Sequence, residues 1–354
     1  MIFCTLFNAS YLPQGIALYR SLERAMEEDF VLYVLCMDDI TYDVLAKLNF
    51  TSLRRVPLKS IEDKKLRAAR DCRTIGEYCW ACTGPLLLYL FDRHPAGTVI
   101  TYVDADIRFF SDPKSILEEL GRGSIFIHEH DFAPRFSGHL AVAGRFNVGV
   151  ASFRNDAEGN RCLRRWTAQC LEETAKDLSS GRCGDQNYLD EWPTLYRNLV
   201  ISRNSGIGLG PWNIEKHKVE LKEGRVFVGS APAVFYHYHS LRLLRPRLGV
   251  KPILMSEWFS FEKDVVRLLY HPYARDLWHA VDEIEEHGHS VKSTLNRLPN
   301  RYSEISGEQF LLSVGTLFLP RGWNSWIFTS VSGGGAQPGG GSVDIAHPVR
   351  PRRS

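Results

Sequence analysis

Asp104 and Asp106 form the single D-x-D of the chain and stand directly behind the apolar, β-forming run Val99 to Val103. Two carboxylates released together at the end of a buried strand repel each other, and a bound divalent cation removes that cost. A hard cation such as Mg2+ or Mn2+ takes oxygen ligands and shares its remaining positions with the oxygens of a diphosphate. Three H-x-H pairs offer imidazoles: His128/His130, His237/His239 and His287/His289. Residues i and i+2 of a strand share a face, so each of the first two pairs, closing β-forming runs, is placed to point into one crevice. His287 and His289 flank Gly288 in a polar turn and read as solvated. Cys79 and Cys82 make a C-x-x-C, but there is no second one, and Trp80, Ala81, Leu86 and Leu87 around it read as a core helix rather than a zinc or redox motif.

These groups need a scaffold to hold them. Met1 to Leu6, Val31 to Cys36 and Val99 to Val103 read as strands of a sheet covered on both faces. Between them lie helical patterns: Leu18, Leu22, Ala25 and Met26 behind Pro13, then Tyr42 to Leu48, then Ile75 to Leu90. Strand and helix in alternation predict an α/β fold with a mostly parallel sheet, whose crevice lies at the carboxyl ends of the strands. Further on, Asp112-Pro113 starts a short helix, Ser124 to Ile127 and Phe146 to Phe153 are strands, and a long helix is expected from Asp156 to Asp177. Val226 to His239 supplies two more strands. Ser256 to His289 is mainly helical, with Trp258, Phe261, Val265, Leu268 and Leu269 on one face, and the Gly-rich stretch Ser332 to Ser354 reads as a disordered tail.

Composition narrows the function classes. The 354 residues carry a formal net charge of +2, so nothing in the balance calls for nucleic acid as a partner. No apolar run approaches the roughly 20 residues that span a bilayer. The chain opens without a charged, then apolar, then small-residue pattern, and its eight cysteines mostly sit in apolar stretches as free thiols would. The expectation is a cytoplasmic protein.

Several segments in order carry a family resemblance: Cys4 to Leu22, Thr101 to Pro113 (TYVDADIRFFSDP), Phe146 to Asp156 (FNVGVASFRND), Gly184 to Pro193 (GDQNYLDEWP), Pro211 to Asn213 (PWN) and Phe235 to Ser240 (FYHYHS). Together they resemble metal-dependent GT-A glycosyltransferases, bacterial nucleotide-diphospho-sugar transferases related to the glycogenin and lipopolysaccharide-galactosyltransferase group. The likeness covers about residues 1 to 245. It implies a GT-A, Rossmann-like mixed sheet flanked by helices. Residues 1–110 would be the nucleotide-binding half and 111–245 the sugar and acceptor half, with a helical appendage over 246–331 and the tail over 332–354.

The resemblance also implies roles. Thr5, Leu6, Phe7, Asn8 and Tyr11 would cradle the nucleobase and ribose, with Asp38 or Asp39 beside them. Asp104 and Asp106 would hold Mn2+ or Mg2+, Asp104 also reaching the ribose. The family's further ligand comes from an H-x-x-G pattern, here His237-Tyr-His-Ser240, which leaves His237 and His239 as rivals. Asn147 and Gly149 would face the donor sugar, and Asp185-Gln186 would grip it beneath the reacting carbon. Glu77 and Tyr78 sit where related proteins reach into the crevice, and Arg242, Arg245 and Arg247 lie where cations would neutralise a diphosphate. The implied reaction is transfer of a sugar from a nucleotide diphosphate sugar, UDP-linked, to a hydroxyl of a glycan or glycolipid acceptor, with retention. The helical region with Trp258 and Trp278 adds the expectation of peripheral contact at the inner face of a membrane. The competing readings are a sugar nucleotidyltransferase, which would need a Gly-rich loop where Phe7 to Gly15 stands, and a catalytically silent carbohydrate- or nucleotide-binding relative.

Overall fold

The computed structural model describes residues 1–174, 176–177, 182–245, 253–256, 261–291, 295–297 and 310–312. The first half alternates as β1 (Ile2–Phe7), α1 (Leu12–Ala25), β2 (Val31–Cys36), α2 (Asp39–Leu48), β3 (Leu53–Pro57), α3 (Lys64–Cys72), α4 (Ile75–Phe91) and β4 (Val99–Val103). There follow β5 (Ile107–Phe109), α5 (Lys114–Leu120), β6 (Ile125–Glu129), α6 (Leu140–Ala143), β7 (Phe146–Arg154), α7 (Ala157–Glu172) and a ribbon of β8 (Lys176–Asp177) and β9 (Arg182–Cys183). The chain goes on through α8 (Trp192–Leu195), β10 (Leu199–Ile201), β11 (Val219–Lys222), β12 (Arg225–Val228), β13 (Ala231–Pro232), β14 (Phe235–His237), β15 (Leu241–Arg245) and β16 (Ile253–Ser256). A short α9 (Lys263–Val265) passes through one π-helical segment, Val266–Tyr270, into α10 (His271–Glu286).

Seven strands form one sheet in the order β10-β6-β7-β4-β1-β2-β3. Only β7 runs against its neighbours; the other pairings are parallel. Both faces are covered, which is why the strands read as continuous apolar runs. Alternation along β1 shows it: Phe3 and Phe7 enter the core beneath α1, while Cys4 and Leu6 enter the core beneath α4 and α7. The sheet, its mixed sense and its flanking helices are those the sequence pattern and the resemblance implied.

Three local outcomes differ from expectation. The long helix stops at Glu172 rather than reaching Asp177, because Arg73 donates to the carbonyls of Cys170 (2.7 Å) and Leu171 (2.6 Å) and terminates it. Val226 to His239 resolves into three short strands, β12, β13 and β14, rather than two. Ser256 closes strand β16 instead of opening a helix; the helical stretch begins at Lys263, and Trp258 and the Gly-rich tail lie outside the described residues. Among the described residues no helix is long and apolar enough to cross a membrane.

Candidate metal and donor site

The site begins where β4 ends. Asp104 leaves the sheet with its backbone N–H on the Gly149 carbonyl of β7 (2.8 Å), and its carboxylate accepts from the Tyr102 hydroxyl (2.7 Å). Two residues later Asp106 stands directly before β5, which pairs antiparallel with β14 so that Ile107 lies opposite His237. The carbonyl of Asp106 accepts from the Tyr238 N–H (2.9 Å), and the His237 N–H bonds Leu209 (2.8 Å). This register brings the imidazole Nε2 of His237 to 3.1 Å from the Asp106 carboxylate and 3.8 Å from that of Asp104. Ligand atoms of Asp104, Asp106 and His237 all lie within 4.8 Å of one another.

The charges in this cluster are coupled through His237. Burial would raise Asp106, but the charge and hydrogen bond of His237 outweigh it and hold the carboxyl below the usual range. Burial leaves Asp104 above that range. His237 is only 4% exposed, yet its two carboxylate neighbours overcome desolvation and raise its pKa. Two carboxylates and one imidazole make a candidate donor set for a divalent cation.

His239, the rival ligand, is exposed and outside this set, its ring centroid 5.8 Å from that of His237. β14 ends at His237, so His239 lies beyond the strand, in the turn with Ser240, whose φ is 63°. His128 in β6 and His130 just past its end are buried, and desolvation lowers their pKa values to about 4 and about 3, so both are neutral. They do not join the ligand set.

Asn147 connects these groups. Its Oδ1 accepts from Gly149 N–H (2.9 Å) and lies 3.3 Å from His237 Nδ1, while its Nδ2 donates to His130 Nε2 (3.1 Å) and reaches Gln186 Oε1 (3.5 Å). With Nδ1 turned to Asn147, His237 presents Nε2 to the carboxylates. Gly149 serves the same contact: a Cβ there would stand 2.7 Å from His237 Nδ1 and 2.6 Å from Asn147 Oδ1. The missing side chain lets His237 and Asn147 come this close to the backbone.

Asp185 lies 5% exposed at the head of a 3-10 turn, Gln186–Glu191, delivered by Gly184 at φ 64° with the Trp80 ring packed against it. Its side chain does not cap that turn; burial and then the charge of Asp104 push its pKa up to about 8. Gln186 donates to the Ala143 carbonyl (2.8 Å).

Thr5, Leu6 and Phe7, expected in the nucleotide loop, are buried in β1, Phe7 filling the space a side chain at Gly15 would need; past the strand Asn8 is half-buried and Tyr11 is 44% exposed. Asn8 caps the turn Ala9–Tyr11 through Ser10. Asp38 accepts from the Ala9 N–H (2.9 Å) and caps α2 through Thr41 (2.7 Å), whereas Asp39 is exposed. The carboxylate that holds the loop is therefore Asp38. Glu77 closes a capping box with Thr74, and Tyr78 donates to Glu62 (2.8 Å), so both are engaged in the framework. Arg242 is exposed and Arg247 is outside the described residues.

Sequence reasoning assigned no role to Trp212, although PWN contained it. Its ring stands edge-on to His237 (5.4 Å) and His130 (5.3 Å), and Asn213 holds the turn through the carbonyls of His130 (2.8 Å) and Gly208 (2.9 Å).

This sheet, with a carboxylate pair at the end of β4 and a returning strand that supplies a histidine, is the GT-A fold. A crystal structure of an active-site mutant of LgtC is similar over 85% of this chain and 98% of its own, with a TM-score of 0.50 and 13% identity. No protein-family model matches the chain. The uncharacterized protein YfnF of Bacillus subtilis (strain 168) is 32% identical over 249 residues, 68% of this chain and 82% of YfnF. YfnD of the same organism is 29% identical over 286 residues, 80% of this chain and 90% of its own. The chain belongs to the family of YfnF.

Proposed function

We propose that the protein is a metal-dependent glycosyltransferase of hexosyl type. It moves a sugar from a nucleotide diphosphate sugar, UDP-linked, to a hydroxyl of a glycan or glycolipid acceptor in polysaccharide, lipopolysaccharide or capsule assembly, with retention. The observation that carries this reading is the convergence of Asp104, Asp106 and His237 on one point at the carboxyl end of β4, with Asp185 buried alongside. LgtC, which shares the fold, is a galactosyltransferase.

Asp104, Asp106 and His237 would hold Mn2+ or Mg2+, which when bound supplies Lewis-acid stabilisation of charge on a departing diphosphate. Tyr11 offers an aromatic face to the base, and Asp38 keeps the 8–11 loop in place through the Ala9 N–H. Asp185 and Gln186 lie on the sugar side; a cation that offset the Asp104 charge would remove one of the two causes that keep Asp185 protonated and so favour the carboxylate, which stabilises a sugar carbon that becomes cationic. Asn147 keeps His237 Nε2 aimed at the carboxylates. No side chain is assigned as a dedicated base, which suits retention.

The test is calorimetric titration of UDP and UDP-sugars with and without Mn2+, on wild type and Asp106→Asn. Metal-dependent binding that the variant loses is the expected result. A wild type that binds no nucleotide under any metal condition overturns the reading.

A further inference from the structure

The strand that carries His237 has two faces. His237 points to the carboxylates, and Tyr236 and Tyr238, one residue to either side, enter the core on the opposite face. What covers that face comes from the C-terminal helical segment. The ring of Tyr238 is stacked on that of Tyr273 in α10, centroids 3.7 Å apart and planes within 15°. Its hydroxyl donates to the Leu269 carbonyl (2.7 Å), and the hydroxyls of Tyr236 and Tyr270 meet at 3.1 Å. The partner strand is gripped by the same helix: Arg108, two residues past Asp106, pairs with Asp276 at 2.8 Å, the two side chains 13% and 12% exposed. Arg24 of α1 joins Asp276 (2.5 Å), and Arg20 joins Glu283 (2.5 Å).

Both arms of the ligand set are thus backed by α10. The Tyr238 N–H that bonds the Asp106 carbonyl belongs to the residue stacked on Tyr273, so the ring stack and the strand pairing act on one backbone unit. Tyr273 is 1% exposed and its hydroxyl has no hydrogen-bond partner among the described residues, so packing, not hydrogen bonding, is its contribution.

The geometry points to a role for the C-terminal helix in metal binding: Tyr273, with the Arg108–Asp276 pair, is a positioning element that sets the separation of His237 from Asp104 and Asp106. The inference rests on the metal-dependent reading above and deepens it. It makes the affinity for a divalent cation depend on residues that touch neither cation nor nucleotide. Partners that orient ligands from behind typically change metal affinity about 10-fold or more when lost.

The experiment is Mn2+ titration of the full chain in the presence of UDP, read by the electron paramagnetic resonance signal of free Mn2+. Four proteins are compared: wild type, Tyr273→Leu, Tyr273→Phe, and Leu163→Ala, which loosens the far core beneath α7. Tyr273→Leu is expected to weaken Mn2+ binding about 10-fold, Tyr273→Phe to restore wild-type affinity because the stack survives, and Leu163→Ala to lose stability with affinity unchanged. A folded Tyr273→Leu that binds Mn2+ as wild type overturns the inference while leaving the metal site itself intact. A wild type that binds no Mn2+ overturns the metal-dependent reading and the inference with it. Should Tyr273→Leu not fold, Asp276→Asn decides: it removes the counter-charge of Arg108 and Arg24 behind the site, and unchanged Mn2+ affinity in that variant overturns the inference.

Discussion

Asp185 shows most directly how a single residue is set against folding. An isolated Asp ionises near pH 4, and here burial and the neighbouring Asp104 push it up to about 8. Between those values the unfolded chain has released the proton and the folded chain has kept it, so stability falls as pH rises through that window. Asp185→Asn is expected to raise Tm above that of the metal-free wild type. The gap should be absent near pH 4, widen toward pH 8, and be accompanied by loss of transfer activity. Thermal unfolding at a series of pH values with chelator present checks this; a gap that does not change with pH removes the burial account.

At the scale of elements, the connection between β14 and β15 carries a conformational cost that the sequence leaves visible. Ser240 stands where the related pattern has Gly, and its φ is 63°, in the left-handed region that a Cβ disfavours by about 1 kcal/mol or more. Ser240→Gly is expected to raise stability by about 0.5–1 kcal/mol, read by urea unfolding, since the backbone already has the conformation that glycine adopts without strain. Elements with local signals were legible: β1, β2 and β4 by their apolar runs, and α4 nearly to the residue by its apolar content and start signal. The end of α7 was not, because the group on its last carbonyls, Arg73, comes from the C-cap of α3, far away in the chain.

For the whole molecule, the decisive feature is that the core under α1 is shared. Leu18 and Leu22 of α1, Phe109 of β5, Phe235 of β14, and Leu277, Val281 and Ile284 of α10 belong to one buried cluster. A chain ended at residue 245 uncovers that surface and leaves Arg108 without Asp276. Such a chain is expected to appear in the insoluble fraction or as aggregate on size-exclusion chromatography, whereas ending the chain within 332–354 is expected to leave it monodisperse. A soluble, Mn2+-binding fragment of residues 1–245 would show instead that the helices are dispensable.

The sequence by itself determined the α/β architecture and the place of the carboxylate pair, because strand patterning and the chemistry of a strand end are local and written in adjacent residues. It also marked Asp185-Gln186, Asn147 and the histidine pair as the groups to watch. Only the tertiary structure decided that His237 rather than His239 meets Asp104 and Asp106, that Asp38 rather than Asp39 holds the loop, and that the room at Gly149 is taken by His237. Each of these depends on which strands pair and in what register, and on what packs behind them, and those contacts join segments far apart in the chain.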